Sequence, residues 1–222
     1  MIPDVRALST PTDQAAVILD GLLDVVAEHG LPKATVREVA TAAGVAIGTV
    51  QHYFPTKDDM VSAAFAEVVR RIKTRVEAIP LGDYPHANLT AVLQELLPLD
   101  DRRRHEVRIQ LAFAAKAATT PALAAVQRAV LDDLRRSMAT AFGAAWAQPA
   151  DSKQCLLAAA VVLAAVVGLA LHAVSADVDA ERGQLVAALD LILTVVLDQS
   201  TGSVRGNPSK SRAPRATLAH GQ

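Results

Sequence analysis

The most informative stretch of this chain is residues 35–57, TVREVATAAGVAIGTVQHYFPTK. Two segments of helix length flank an Ala-Gly-Val turn, and Gly44 supplies the small residue with a free φ angle that a steep crossing of two helices requires. Thr35 and Glu38 have the spacing of a capping box, in which a hydroxyl and a carboxylate each satisfy an unpaired backbone N–H. The pattern predicts a helix-turn-helix that Phe54-Pro55 ends.

The second helix of this motif carries more large and polar side chains than one core can bury. An α-helix fits the major groove of DNA, which is about 12 Å wide, and Gln or Thr can bond base edges while His and Tyr suit phosphates. Lys57 and the free N–H groups at the start of the next helix predict a phosphate clamp. Phe54 is expected to close the small core instead. The predicted DNA contacts are Thr35, Ile47, Thr49, Gln51, His52, Tyr53 and Lys57.

Residues 34–60, ATVREVATAAGVAIGTVQHYFPTKDDM, resemble the TetR family of bacterial transcriptional repressors. The matching residues are Gly44, Gly48, Thr49, Tyr53, Phe54, Thr56 and Lys57. The resemblance implies a homodimer that binds a palindromic DNA operator and is released by a small molecule. Residues 97–104, LPLDDRRR, with the apolar helix after them, look like the regulatory half of the BetI-like branch.

Two residues depart from the family pattern. Ala46 opens the recognition helix, where the family commonly has Ser or Thr, so a capping hydroxyl and a phosphate contact are absent. Gln51 replaces a common Tyr. Because Gln can bond adenine N6 and N7 together, Gln51 is predicted to read a base.

Prolines divide the remaining chain into segments of helix length with apolar residues at a period of 3.6. The predicted class is all-α, with nine helices near residues 12–29, 35–43, 46–53, 56–78, 87–97, 100–118, 121–148, 151–174 and 179–197. The predicted division is a DNA-binding domain at 1–57, a helical ligand-binding and dimerisation domain at 58–199, and a disordered basic tail at 200–222.

Composition excludes several functional classes. A net charge of −1 over 222 residues argues against a histone-like protein, and residues 1–57 alone have four basic and six acidic side chains. The single Cys155 cannot form an intramolecular disulfide or a CxxC site, which favours the reducing cytoplasm. No nucleophile, nucleotide or HExxH motif is present, so we expect no catalytic residue, no cofactor and no metal site.

The segment 155–171, CLLAAAVVLAAVVGLAL, has nearly the length of a membrane span. Its high Ala content and the acids that follow it favour a helix buried on all sides instead. A two-fold dimer in which the last two helices form a four-helix bundle would bury it without a membrane. The predicted dimer contacts are Leu163, Val167, Leu171, Leu185, Leu189, Ile192, Leu193 and Val196.

The resemblance further implies a ligand cavity between helices four to seven. Helix four, which would contact both halves, is expected to transmit the change from the ligand-binding half to the DNA-binding half. Large side chains in those helices suggest a mainly apolar effector. The candidate ligand contacts are Phe65, His105, Arg108, Phe113, Met138, Phe142 and Trp146. Two alternatives remain open on the sequence: a small helical membrane protein that uses residues 155–174, and an enzyme or carrier of hydrophobic metabolites with the same fold.

Overall fold

The computed structural model describes residues 13–175 and 182–198, and within them it has nine α-helices and no strand. The helices are α1 Asp13–His29, α2 Val36–Ala43, α3 Ile47–Tyr53, α4 Lys57–Glu77, α5 Pro85–Gln94, α6 Asp101–Ala117, α7 Pro121–Trp146, α8 Lys153–Ser175 and α9 Arg182–Asp198. The predicted all-α class is confirmed. Helix α5 begins earlier than predicted because Pro85 takes the first helical position, where its missing N–H costs nothing. The predicted tail at 200–222 lies outside the described residues.

Threonine side chains cap two helices in the first part of the chain. Thr35 Oγ1 accepts from the backbone N–H of Glu38 at 3.2 Å, but the N–H of Thr35 donates to the carbonyl of Lys33 at 2.7 Å. The capping box predicted at Thr35 is therefore only half formed. The complete box begins α4, where Thr56 Oγ1 accepts from the N–H of Asp59 at 3.1 Å and Asp59 Oδ2 accepts from the N–H of Thr56 at 3.0 Å.

The first core joins α1 to α2, α3 and α4. Its fully buried side chains include Ile18, Leu22, Val39, Val50 and Met60. Helices α2 and α3 have only eight and seven residues and would not be stable on their own. The helix-turn-helix is therefore held together by α1 and the start of α4.

The apolar stripe of α1 differs from the predicted one at a single position. Val17 was expected in the stripe with Ile18, but its side chain is 47% exposed. At about 100° per residue, Val17 lies roughly 140° around the helix from the fully buried Leu22, which places it outside the buried stripe. Leu22, Val25 and Val26 are buried as predicted.

Along α4, the first core continues beyond residue 57. Ala64, Val68 and Ile72 belong to it, as does Ile109 of α6. Helix α4 thus contributes to the packing of the helix-turn-helix over most of its length. The boundary at residue 57 stays a prediction, and no break in the packing marks it.

The close approach of α1 and α2 depends on Gly21. A Cβ atom at this position would lie 2.8 Å from the backbone nitrogen of Ala43 and 3.0 Å from its Cβ. We expect Gly21→Ala to lower the free energy of unfolding by about 1–3 kcal/mol, because backbone must move to relieve the contact. Chemical denaturation of the purified protein measures this.

The matched control for Gly21 is Gly48→Ala in α3. A Cβ at Gly48 would meet no atom within 4 Å, so alanine there should leave stability unchanged or raise it by up to about 1 kcal/mol through helix propensity. Equal stability changes in the two variants would contradict the importance of the Gly21–Ala43 contact.

The second core lies among α5, α7, α8 and α9. Its most buried side chains include Leu93, Phe142, Cys155, Leu189 and Leu193, each with 0% exposure. Cys155 is a buried free thiol and packs as a small hydrophobic residue. More buried residues of the second core come from α8 than from any other helix.

A third, smaller cluster connects α4, α6 and α7. Phe65 of α4 stacks on Phe113 of α6, with ring centroids 3.9 Å apart and planes 5° apart, and Val61 and Leu123 pack around them. Stacked aromatic pairs bury a large apolar area. This cluster fills the space between the helix that leaves the helix-turn-helix and the helices of the second half.

A largely buried ion-pair network fixes the end of α4. The Arg75 guanidinium donates to Glu95 Oε2 at 2.6 Å and to Glu106 at 2.6 and 3.0 Å, and Arg103 donates to Glu95 at 3.2 Å. Burial by itself would lower the pKa of Arg75, but the two carboxylates outweigh it and raise the pKa. Arg75 therefore stays charged and ties α4 to the end of α5 and to α6.

Candidate nucleic-acid interface

The turn between α2 and α3 has the geometry that its glycine predicts. Gly44 has φ +65° and ends α2 in the left-handed conformation, and the N–H of Val45 donates to the carbonyl of Ala40 at 3.0 Å. Ala46 precedes α3 and gives it no side-chain cap, as its methyl group requires. The turn itself is therefore held by backbone hydrogen bonds, without a side-chain cap on α3.

One face of α3 points into the protein and the opposite face is exposed. Val50 has 0% exposure and anchors the helix in the first core. Ile47, Gly48, Gln51 and His52 are exposed at the i and i+4 spacing of a single helix face. This face contains no acidic residue and has the width of a helix that can enter a major groove.

The other predicted contacts on α3 are half-buried. Thr49 and Tyr53 flank the exposed face, and the Tyr53 ring packs edge-on against His52 with centroids 5.4 Å apart. Phe54 is only 8% exposed and belongs to the first core, where the sequence placed it. The side chains at the surface of α3 are thus those of Ile47, Gln51 and His52, with Thr49 and Tyr53 at its edges.

Thr35 and Lys57 lie at the beginnings of α2 and α4. Both are exposed, and Lys57 Nζ donates to the carbonyl of Pro32 at 3.2 Å. That bond holds the lysine near the turn that precedes α2. The carbonyl uses only one of the three ammonium donors, so the other two remain able to meet an anion such as a phosphate.

The acidic excess of residues 1–57 does not lie on α3. In the described part of that stretch the acids lie on α1 and α2, and Asp20 pairs with Arg71 of α4. All of these acids are exposed: Asp13, Asp20, Asp24, Glu28 and Glu38. The acidic excess therefore belongs to α1 and α2, and α3 carries none of it.

A second exposed surface is apolar and belongs to α8 and α9. We call it the α8–α9 face, and its exposed large side chains are Leu156, Leu157, Val161, Val167, Leu171, Leu191 and Val195. Exposed large apolar side chains that collect on two neighbouring helices are typical of an interaction surface. Leu157 and Val161, like Leu191 and Val195, are four residues apart, a spacing in the sequence that indicates a second apolar stripe on each helix.

Half of the predicted dimer contacts are already buried within the single chain. Leu163, Leu185, Leu189 and Leu193 are at most 7% exposed, which leaves little of each side chain for a partner, and their role stays a prediction. Ile192 and Val196 pack partly against the second core, whereas Val167 and Leu171 are exposed as a dimer contact requires. On a helix that is apolar on several sides, sequence periodicity cannot show which stripe faces the chain's own core.

Helix α8 also has the length and composition of a membrane span, alone among the described helices. A core helix of a soluble protein has the same properties. Here Cys155, Ala159, Val162 and Val166 are buried against the second core. One side of α8 is therefore covered by protein, and the other belongs to the α8–α9 face.

The seven predicted ligand contacts are divided among separate places. Phe65 and Phe113 form the third cluster, while Met138, Phe142 and Trp146 belong to the second core or pack on it. His105 and Arg108 are exposed, and Arg108 donates to the carbonyl of Ala27 of α1 at 3.4 Å. In this conformation the seven side chains do not meet around one cavity, and their role stays a prediction.

Two family models match this chain and together cover both halves. The model for bacterial regulatory proteins of the tetR family matches residues 18–64. The model for the C-terminal part of BetI-type transcriptional repressors matches residues 85–197, about half of the chain. The first match contains the whole helix-turn-helix, and the second contains α5 to α8 and nearly all of α9.

Two curated relatives are equally identical to this chain but match different shares of it. The HTH-type transcriptional regulator BetI of Stenotrophomonas maltophilia is 30% identical over 164 residues, which is 72% of this chain and 82% of that protein. The HTH-type transcriptional regulator PksA of Bacillus subtilis is 30% identical over 94 residues, 42% of this chain and 46% of that protein. The match to PksA thus spans less than half of it.

Solved structures share the whole architecture. A transcriptional regulator from Rhodococcus sp. Rha1 is 36% identical with a TM-score of 0.77, covering 85% of this chain and 97% of that one. A transcriptional regulator from Saccharomonospora viridis, solved in complex with choline, has a TM-score of 0.72 at 17% identity and covers 81% of this chain and 94% of that one. The second likeness is one of fold.

Proposed function

This chain belongs to the TetR family of transcriptional regulators, and on that premise we propose that it is a ligand-responsive repressor. It binds a palindromic operator as a homodimer and leaves it when a small molecule binds the second half. The exposed, acid-free face of α3 is the observation that carries the DNA-binding part of this proposal. The protein acts in the cytoplasm, without a membrane and without an enzymatic step.

The proposed recognition follows from the residue types on α3. Gln51 contacts a base edge in the major groove, and His52, Thr49 and Tyr53 contact phosphates or bases beside it. Lys57 and Thr35 contact the backbone on either side. Because a dimer presents two copies of α3, its operator would have two half-sites about 34–36 Å apart, one turn of DNA.

Binding to the DNA upstream of its own gene tests this function. Fluorescence anisotropy over a salt series, with unrelated DNA of equal length as the control, separates specific from non-specific binding. We expect tight, selective and salt-dependent binding to the upstream DNA. Equal weak binding to both DNAs would show that the upstream DNA holds no operator for this protein.

Lys57→Ala should weaken DNA binding for all sequences alike. Loss of one phosphate contact reduces the slope of log affinity against log salt by about one. Lys73→Ala is the matched control, because Lys73 lies on the same helix, is 68% exposed and pairs with the exposed Glu77 at 3.9 Å. A slope that falls equally in both variants would indicate a general charge effect and no contact at Lys57.

Gln51→Ala should instead change which operator sequence is preferred. Selection from a randomised half-site measures the preference, and losing a bidentate base contact should relax it at one position by about 1–3 kcal/mol. Gln14→Ala, an exposed glutamine on α1, is the control. If Gln51→Ala keeps the wild-type preference, Gln51 does not read a base.

The homodimer is proposed to form through the α8–α9 face. Exposed apolar side chains on adjacent helices of one copy can pack on the same helices of a second copy around a two-fold axis. This packing would cover the side of α8 that the second core leaves exposed. The apolar sequence of α8 is then explained by dimer packing, and no membrane is needed to explain it.

The effector is proposed to be a largely apolar small molecule that binds among α4, α6 and α7. The third cluster supplies the apolar surroundings and includes Phe65 of α4, so a molecule inserted there would move α4 relative to the first core. Release requires that the effector bind the DNA-incompetent state more tightly than the DNA-bound state. The Saccharomonospora viridis regulator holds choline, whose cation makes it a useful comparison ligand.

Screening compounds for release of the bound operator tests the effector class. We expect apolar compounds to lower the anisotropy of labelled operator DNA and choline to leave it unchanged. Release by choline, with no apolar compound active, would contradict the proposed class.

A further inference from the structure

A concave pocket of about 280 Å³ opens between the second half of α4 and the beginning of α6. Four arginines and one threonine line it, and no carboxylate does: Arg70, Arg71, Thr74, Arg75 and Arg102. We propose that this pocket binds a small multivalent oxyanion, such as the phosphate groups of a phosphorylated metabolite. Guanidinium groups suit such a ligand because their N–H groups meet paired oxygens in a fixed planar geometry.

Carboxylates that do not line the pocket hold three of the arginines in place. Glu67 is only 6% exposed and accepts two bonds of 2.7 Å from Arg70 and one of 2.7 Å from Arg71. Arg75 is held in the same way by Glu95 and Glu106. Because the guanidinium groups are already ordered, an anion that meets them loses little further side-chain entropy.

The neighbouring arginines keep the Glu67 carboxylate ionised. Burial by itself would raise the pKa of Glu67, but the hydrogen bonds and charges of Arg70 and Arg71 outweigh it and hold the pKa below its ordinary value. Each of those two guanidinium groups also has an Nη1 nitrogen that bonds neither Glu67 nor Asp20. These nitrogens supply donors for a ligand without breaking the internal pairs.

Arg102 completes the pocket from the other side. It is exposed at the start of α6 and makes no hydrogen bond or ion pair with any other residue that the structure describes, although its charge helps to lower the pKa of Asp100. Its five N–H donors are thus available. An anion between Arg102 and the α4 arginines would satisfy them and relieve the repulsion between Arg70 and Arg71.

The pocket is separate from the proposed DNA and effector sites. Arg70 lies thirteen residues along α4 from Lys57, a distance of about 20 Å at 1.5 Å per residue. Operator phosphates that meet Lys57 would be out of its reach. The lining is cationic, whereas the third cluster around Phe65 is apolar. The proposed ligand is therefore a diffusible anion, and its binding requires no DNA.

Isothermal titration of the full chain with inorganic pyrophosphate tests the proposal at constant ionic strength, which keeps general screening equal. We expect saturable binding with one site per chain and a dissociation constant below about 1 mM. Arg102→Ala should weaken binding at least tenfold without changing the melting temperature of the free protein, because Arg102 has no internal bond to lose. A parallel titration with citrate distinguishes a site for phosphates from one that takes any multivalent anion.

Arg128→Ala is the matched control for Arg102. Arg128 is exposed on α7, outside the pocket, and likewise makes no hydrogen bond or ion pair within the described residues. Its loss should change pyrophosphate affinity less than twofold. Absence of saturable binding to the wild-type chain, or equal weakening in the two variants, would overturn the proposed site.

Discussion

Leu191→Glu is expected to convert the dimer into monomers and to abolish tight operator binding. Leu191 is 64% exposed in the single chain, beside Val195 on the α8–α9 face, and the proposed dimer buries both. An unpaired carboxylate in such an interface costs on the order of 3 kcal/mol, more than a hundredfold in the dissociation constant. A two-fold dimer contains the substitution twice, so both copies destabilise the interface.

Sedimentation equilibrium and operator binding measure the two consequences of Leu191→Glu separately. Leu81→Glu is the matched control, because Leu81 is also 64% exposed but lies between α4 and α5, away from that face. The control should remain dimeric and should bind DNA as the wild type does. A Leu191→Glu protein that stays dimeric would show that the chain associates through another surface.

Arg75→Ala is expected to lower the free energy of unfolding by about 3–5 kcal/mol. Its side chain is 18% exposed and its partners Glu95 and Glu106 are 17% and 8% exposed. Removing the arginine leaves Glu106 buried without the cation that both its oxygens contact, while Glu95 keeps Arg103. Breaking a buried pair by removing one partner is strongly destabilising for this reason.

The control for Arg75 is an exposed pair of the same chemistry. Arg135 contacts Asp132 at 3.3 Å, both are about half exposed, and Arg135→Ala should change stability by less than about 1 kcal/mol. If the buried charge is the cause, adding Glu106→Gln to Arg75→Ala should restore part of the loss. If the losses of unfolding free energy in Arg75→Ala and Glu106→Gln simply add in the double variant, the two residues are not coupled. The destabilisation by Arg75→Ala would then come from lost packing.

The helix-turn-helix could be predicted from local chemistry. Gly44 permits the left-handed conformation that ends α2, Phe54-Pro55 stops α3, and Thr56 caps α4, so each boundary rests on residues a few positions apart. The same holds for the inward position of Val50 and the exposure of Gln51 and His52, which follow from the period of one short helix.

The tertiary structure decided which residues of the apolar helices face the chain itself. Leu185, Leu189 and Leu193 fit a dimer stripe by spacing, yet the packing of α9 on α5 and α8 buries them and leaves Leu191 and Val195 exposed. Where every face of a helix is apolar, hydrophobicity does not distinguish the two stripes, and only the position of neighbouring helices does.

The same physical reason separates the predicted ligand residues from the arginine pocket. The large side chains of α4, α6 and α7 were identified by type, but Phe65 packs with Leu123 near the start of α7, whereas Phe142 lies near the end of α7 in the second core. Arg70 and Arg102 stand 32 positions apart in the sequence and come together only when α4 packs on α6. The sequence alone predicted the helices and most of their ends, because these depend on neighbours along the chain. The arginine pocket and the exposed α8–α9 face depend on residues distant in sequence, so only the packed structure shows them.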